Sequence, residues 1–597
     1  MPLKIPAMLD PARLTIPSRD GEVLVVPEPA EMARAALENH RRLAGLDFPV
    51  GDTRFCELRR RVRRDVLGEG NEDKLLIVTG HQPGPIHPGV WAKNVVASRL
   101  AEALGGEAVN LVVDSDVVAP SYRIVRTPRK EGERGDGGGL RKRCPLFGRL
   151  GGHGDFTTTR VDQAGGTDPL VPVVREDGIT FETVRLNPAE RRIIFENMPR
   201  LSPERIDEIE RRLRAAMGER FEHSQLPHYL AGLRASCHGG DWVDQQIAAR
   251  RRIEDRFGVK LSDLCVSACN PTGVRETSAE TIRPADTWFG VLGGHWKDAE
   301  RFSRVYNEAL HDYRRKRGIR SSSVPMPDLE RGRDRWELPL WAYEIVLRGD
   351  PVQDASQERH RCFVRRDGER TVLTAGRKRL AAEPPYPEKY PPLLASTGPL
   401  TRWVVRPRAL MLTLWARLFL ADLFIHGLGG AEYDQITDEI IRRYYGIEPP
   451  AMACVSATLH LDLPRPPRAV PRLVEARRRL RDVRWNPQRH LPEAARNQPL
   501  VHRRDELVRE SERLRREEPR NHARRREVFR KIRKVNEKIL SHCPELLSEA
   551  EKQVSLAERY EPQWRIAEER EHFFALYSDD RLQTLLDALP PPEAFQV

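Results

Sequence analysis

The run Leu75-Leu76-Ile77-Val78-Thr79-Gly80-His81-Gln82-Pro83-Gly84-Pro85-Ile86-His87-Pro88-Gly89 decides the fold. It opens on apolar and β-branched residues, turns on glycine and proline, and continues with helical spacing from Trp91 to Leu104. A second apolar run, Val109 to Val113, ends in Asp114-Ser115-Asp116. Strand, loop, helix and strand at this length form a parallel crossover, so the expected class is α/β with a Rossmann-like parallel-sheet core. Ligands of such sheets sit at the carboxyl ends of the strands. That rule puts the loop after Thr79 and the acids after Val113 on one edge.

Outward from this unit, a chain of 597 residues is several times the usual domain size. Three regions are expected: an N-terminal segment over 1–70, the core with insertions over 71–465, and a helical region over 466–597. Within the core, 130–154 is rich in Gly, Arg and Glu, includes Gly137-Gly138-Gly139, and reads as a flexible insertion. In the last region Leu473, Ala476, Leu480 and Val483 recur at helical spacing, as do Val528, Ile532, Val535 and Ile539. Pro544 interrupts before a further stripe of Leu547, Ala550, Val554 and Ala557. The expected arrangement is an antiparallel helical hairpin or coiled coil, through which the chain can form a homodimer.

Composition narrows the partners. Lys and Arg number 100 against 88 Asp and Glu, a net charge of +12 that favours anions. The basic residues are interleaved with acids, as on a solvated mixed-charge surface, so nucleic acid is not the expected partner. The Arg-rich helices between Arg503 and Arg533 keep a nucleic-acid-associated role as the alternative. The start, Met1-Pro2-Leu3-Lys4-Ile5-Pro6, lacks the pattern of a signal peptide, and a cytoplasmic location is expected. The most apolar stretch, Leu410 to Gly430, carries Arg417 and Asp422 and reads as a buried helix, not a membrane span. Eight irregularly spaced cysteines suit a reducing compartment. Cys237-His238 with Cys265 and Cys269 lacks the second pair a zinc box needs, so no zinc is expected.

Two motifs carry the candidate chemistry. In the first, His81 and His87 can donate to phosphate oxygens, and Lys93 can balance negative charge. Gly80, Gly84 and Gly89, with Gln82, let a ligand approach the main chain where a helix begins. Asp114 and Asp116 can hold a magnesium ion, an ammonium group or a ribose hydroxyl, or simply cap the next segment. The second motif, His426-Gly427-Leu428-Gly429-Gly430-Ala431-Glu432-Tyr433-Asp434, precedes an amphipathic helix from Gln435 to Tyr445. His426, Gly429, Gly430, Tyr433 and Asp434 either wall a substrate pocket or form a helix-to-helix turn.

In these segments the chain resembles the bacillithiol biosynthesis cysteine-adding enzyme family. The residues matching that family's TGQQ-type motif, Gly-Pro turn and helix lysine are Thr79-Gly80-His81-Gln82, Pro88-Gly89 and Lys93. Asp114-Ser115-Asp116 is similar to its Asp-His-Asp element, and Gly429-Gly430-Ala431-Glu432-Tyr433 to its GGPGE-type loop. The likeness touches about residues 70–125 and 400–465. The chain departs from it at His81, at Ser115 and in lacking the later Pro-Gly. The resemblance implies a cytoplasmic bacterial ligase that joins cysteine, or another amino acid, to an amino-sugar-type acceptor as an amide. An amide formed in water needs an activated carboxyl, so ATP or ADP is the expected nucleotide. In that reading His81, His87, Asp114 and Asp116 are the catalytic set, and Gly429 and Gly430 admit the second substrate. A catalytically silent scaffold that keeps the fold is the other alternative.

Overall fold

A computed structural model of the chain describes residues 14–51, 53–118, 122–128, 156–162, 168–175, 178–186, 193–236, 240–269, 294–346, 358–368, 370–382, 401–493 and 498–597. The insertion expected over 130–154 and the Cys237-His238 pair lie outside the described residues. In chain order the strands are β1 (Val23–Val26), β2 (Pro49–Val50), β3 (Thr53–Arg54), β4 (Leu76–His81), β5 (Glu107–Val112), β6 (Tyr122–Pro128), β7 (Phe156–Asp162), β8 (Leu170–Arg175), β9 (Gly178–Thr183), β10 (Ser262–Cys265), β11 (Arg335–Val346), β12 (His360–Asp367), β13 (Arg370–Ala375), β14 (Lys378–Ala382), β15 (Thr401–Pro407), β16 (Leu423–His426) and β17 (Met452–Ala457). The fold is mixed α/β. Its main sheet has the order β1-β17-β16-β4-β5-β10, and a second, antiparallel sheet has the order β14-β13-β12-β11-β15.

In the main sheet β17, β16, β4, β5 and β10 all run parallel, and only β1 is antiparallel, on the β17 edge. Parallel strands covered on both faces read as unbroken apolar runs. Accordingly Leu423-Phe424-Ile425-His426 and Met452 to Ala457 are buried at every position. The helix Pro88–Ala103 connects β4 to β5 as expected, and Leu76 to His81 pairs with Glu107 to Val112 in register.

The stretch expected as one apolar helix, 410–430, corrects to three elements. A helix at Ala409–Trp415 runs into a π-helical turn at Ala416–Leu420, and β16 follows. A short apolar run has no periodicity that separates a buried helix from a central parallel strand. Asp422 marks the break. Its backbone N–H donates to Leu76 O (2.8 Å), and its Oδ2 accepts from Leu76 N (2.8 Å), so the start of β16 is tied to the start of β4. Oδ1 accepts from Arg59 Nη2 (2.6 Å), and Oδ2 lies near Arg63 Nη2 (3.2 Å) and His40 Nδ1 (3.1 Å). The same arginines satisfy carbonyls of the π-turn: Arg59 Nη1 donates to Leu418 O (2.7 Å) and Arg63 Nη1 to Leu420 O (2.5 Å). Burial alone would push the Asp422 carboxyl up; His40, Arg59 and Arg63 outweigh it and hold it below the usual range.

The chain divides into two compact units, and both outer boundaries read from the sequence are corrected. The first unit is Met1–Val171, Glu182–Leu461 and Arg570–Val597; the second is Pro172–Phe181 and Asp462–Glu569. Residues 1–70 are not a separate segment, since β1 joins the main sheet and Arg59 and Arg63 hold Asp422. The last 28 residues, from Arg570 to Val597, likewise belong to the α/β unit.

In the second unit the helices Leu473–Trp485 and Pro544–Ala567 lie antiparallel. The pairs Arg472–Glu568 (2.8 Å), Arg477–Glu558 (2.8 Å) and Arg484–Glu551 (2.9 Å) step along them in opposite directions. Pro499–Glu517 and His522–His542 pair through Leu507, Leu514 and Val528, with Arg504 Nε donating to Asn536 Oδ1 (2.9 Å). Among the described residues no helix is long and apolar enough to cross a membrane.

Removing the Asp422 carboxylate strands two buried guanidinium groups. Asp422→Ala is expected to cost about 3–5 kcal/mol, read as a fall in the denaturant midpoint of the full chain; a loss under about 1 kcal/mol would contradict this role.

Candidate functional site

The main sheet sets the place of the site. From β4 the chain builds outward to β5 and β10, and from β16 it builds the other way to β17. Where the direction reverses, between β4 and β16, the loops leaving the two strands part and leave a crevice outside their carboxyl ends. Both sequence motifs are those loops. The register Leu423↔Ile77, Phe424↔Val78 and Ile425↔Thr79 brings His426 beside the Gly80 turn. A methyl group on Gly427 would lie 3.9 Å from Lys93 Cδ, so the lysine of the first motif reaches the second.

The helix entrance after β4 is closed by its own side chain. His87 is the N-cap of Pro88–Ala103, and its Nδ1 accepts from Gly89 N (3.1 Å). Pro88 has no N–H, and Val90 N (2.9 Å) and Trp91 N (3.1 Å) both donate to His87 O. The first-turn amides expected to meet a phosphate are therefore spent. Gly80 and Gly89 answer to packing: a Cβ on Gly80 would stand 2.9 Å from Leu111 O, and one on Gly89 2.6 Å from Ala457 O.

The entrance after β16 is open. The helix Leu428–Ile440 begins at Gly427, which brings no side-chain cap, and its first such bond runs from Ala431 N to Gly427 O (3.0 Å). Among the described residues nothing accepts from the N–H groups of Leu428, Gly429 or Gly430. Gly429 and Gly430 are exposed, and the space over Gly429 is clear to 4 Å. Lys93 is 4% exposed, and its Nζ donates to Gly80 O (2.7 Å). No carboxylate pairs with it among the described residues. Burial lowers its ammonium to about 8. Unbonded amides at a helix start and a buried lysine are both groups that can interact favourably with an anion.

The remaining candidates divide. His81 is half-buried at the end of β4, and burial, then Lys93, lower it to about 4; His87 falls to about 3 through burial and Arg570. Both are neutral at pH 7. Asp116 accepts from Gln82 Nε2 (2.6 Å) and Arg359 Nη1 (2.9 Å), so the acid after β5 does meet the first motif. Asp114 is fully buried and turned away: Ser267 N (3.0 Å) and Ser267 Oγ donate to its two oxygens, joining β5 to the segment after β10.

Asp434 also turns inward. It lies 2.6 Å from Arg417 Nη1 and 3.1 Å from His426 Nε2, and Arg417 also holds Asp438 (2.7 Å). Burial would raise Asp434; Arg417 and His426 overcome it and hold the carboxyl low. Asp434 thus positions His426, and Tyr433 packs at the margin of the core against Tyr313. Among the described residues no group of three His, Cys, Asp or Glu side chains is arranged to hold a metal.

Several site residues were not read from the sequence. Arg570 donates to Ser456 Oγ (3.1 Å) and Ala457 O (2.9 Å), and Phe574 N donates to Ile86 O (2.8 Å). The C-terminal segment therefore packs over the first motif, a contact no local pattern announces. A small recess, with room for about one water molecule, opens beside His81 and Gly84. Asn110, Gln246 and Arg250 also line it. Asn110 had a signal, being a polar residue within the apolar run Val109 to Val113.

Comparison with protein-family models, with curated proteins and with solved structures found no match.

Because the folded state holds His87 neutral, the unfolded chain binds more protons below pH 6.5, and stability falls as the pH drops from 6.5 toward about 3. His87→Asn keeps a capping oxygen without that titration. At pH 5 the variant is expected to recover on the order of 1 kcal/mol of the acid loss relative to wild type, read by urea denaturation at pH 7 and pH 5.

Proposed function

We propose that the main sheet is a Rossmann-like core whose β4/β16 crevice binds the phosphates of a nucleotide, ATP or ADP. The observation that carries this reading is the open helix start at Leu428–Gly430, with the stem of the buried, carboxylate-free Lys93 reaching the Gly427 that precedes it. Lys93 supplies the full charge, the amides supply oriented partial charge, and the neutral histidines can donate N–H groups without repelling the lysine. Because Nδ1 of His87 accepts from Gly89, its proton sits on Nε2, the atom left to face a ligand.

The reaction we propose is the one the resemblance implies: a ligase that joins cysteine or a related amino acid to an amino-sugar-type acceptor as an amide. A bound nucleotide would supply the activation that makes the carboxyl reactive. The chain's own residues would orient it, with half-buried Asp116, held by Gln82 and Arg359, at the edge of the first motif. Asp114 and Asp434 serve as positioning residues: both oxygens of Asp114 accept from Ser267, and Oδ2 of Asp434 is shared by Arg417 and His426. The nucleic-acid alternative gains no support. Arginines of the helical unit such as Arg472, Arg477, Arg484 and Arg503 are matched to glutamates, which lowers what they offer to phosphates.

Calorimetry with ATP, ADP and tripolyphosphate tests the phosphate site. Affinity is expected to fall as the pH rises through about 8, where Lys93 loses its proton. Lys93→Met is expected to weaken binding by about tenfold or more and abolish that pH dependence. It should raise the stability of the ligand-free chain by about 1 kcal/mol, because a buried charge is removed. Equal affinity in wild type and variant would reject the site. Mass spectrometry after incubation with ATP, cysteine and an amino-sugar malate tests the ligase step separately, and tight nucleotide binding without product would leave the site but remove the reaction.

A further inference from the structure

The helical unit presents an aromatic pair to solvent. Trp485, the last residue of the helix Leu473–Trp485, is 39% exposed, and Phe529 of the helix His522–His542 is 48% exposed. Their rings stack on each other, with centroids 5.5 Å apart and 29° between the planes. Each helix already has apolar residues for packing inside the unit, Leu473 and Ala476 in the first, Val528 and Ile539 in the second. The aromatic pair is left outside both sets.

The platform is fixed from beneath. Asn536 Nδ2 (2.9 Å) and Arg504 Nη2 (3.2 Å) both donate to Trp485 O, and Arg504 Nε donates to Asn536 Oδ1 (2.9 Å). Arg504 and Asn536 are themselves buried. The backbone that carries the indole is thus set before any partner arrives, which lowers the ordering cost of binding.

Cations border the pair. At helical spacing Arg525, Arg526 and Arg533 share the face of Phe529, and Arg481 lies one turn before Trp485. Arg533 Cζ stands 5.9 Å from the centre of the Trp485 ring, and its one glutamate, Glu537, is 3.9 Å away. Among the described residues no carboxylate lies within ion-pair distance of Arg481, Arg525 or Arg526. Asp482, three residues before Trp485, is engaged by Asn486 (2.7 Å), Arg489 (3.2 Å) and His490 (2.9 Å). The border is therefore positive, unlike the matched pairs between the helices Leu473–Trp485 and Pro544–Ala567.

We propose that Trp485 and Phe529 are the anchor of a docking surface for an acidic protein segment that carries an apolar or aromatic residue. Trp and Arg dominate binding hot spots, and an aromatic centre with a positive border is complementary to an apolar side chain flanked by carboxylates. A second copy of this chain is disfavoured, because a two-fold contact sets the same arginines against one another. A nucleic-acid strand stacks successive bases along a charged groove, whereas here the two rings stack on each other and make a single platform. The surface lies wholly within the helical unit and does not depend on the nucleotide reading of the crevice.

The test is a fluorescence-anisotropy titration of the full chain with a labelled random copolymer of glutamate and tyrosine, compared with polyglutamate and with an oligothymidylate. The copolymer is expected to bind, and to weaken by about thirtyfold in Phe529→Ala and in Trp485→Ala, the size of an aromatic hot spot. Arg533→Gln should weaken it by about threefold and flatten its salt dependence. Trp485→Phe keeps a ring and should retain most of the affinity, and thermal melts of every variant separate loss of the contact from loss of folding. No binding of the copolymer, equal binding of polyglutamate, or equal affinity in Phe529→Ala and wild type would overturn the proposal. Tighter, Phe529-dependent binding of the oligothymidylate would overturn it in favour of nucleic acid, and a dimer in sedimentation that Phe529→Ala splits would overturn it in favour of a second copy.

Discussion

The carboxylate of Asp422 holds the sheet in its working order. It is 1% exposed, sits one residue before β16, and bonds the first residue of β4, two arginines of one helix and a histidine of another. Strands β4 and β16 come from chain segments about 350 residues apart, and their adjacency creates the reversal in strand order. An ionised group inside a protein persists only when its partners replace the water it gave up. Here the replacement fixes the amino edge of both strands, and the crevice at the carboxyl edge follows from their parallel direction.

The same physics separates the two helix entrances of the crevice. Each βα turn in a parallel sheet delivers a helix start to the carboxyl edge, and each start has N–H groups to satisfy. After β4, a proline at the first helical position and a histidine cap consume them, which makes that turn rigid and electrostatically quiet. After β16, Gly427 caps with no side chain and two exposed glycines follow. The helix start left with unbonded N–H groups is thus that of the second motif, and the lysine of the first reaches its Gly427. Burial makes Lys93 costly to keep charged, and among the described residues no carboxylate offsets that cost.

Burial also explains why acids that look alike in sequence differ in role. Asp114 and Asp434 have every reason to look functional beside their motifs, yet the fold turns them toward Ser267 and Arg417. Asp116, two residues from Asp114, stays half-buried and meets Gln82. Both acids lie past the end of β5, in a turn where side-chain direction follows no strand period, so a one-letter pattern does not say which of them faces the crevice.

The sequence by itself determined the β4-loop-helix-β5 unit, the α/β class, the helical stripes after Leu473, and the edge on which the Gly80 loop and Asp116 would meet. These are local: they follow from apolar periodicity, from proline and glycine at turns, and from the short reach of a crossover. Only tertiary structure decided that Leu423–His426 is a strand beside β4, that Arg570 returns to the first motif, and that Asn110 and Gln246 share one recess. Each of these is a pairing between distant segments. Its free energy comes from burying two surfaces against each other and from matching polar groups across them, and neither partner's own sequence contains that information.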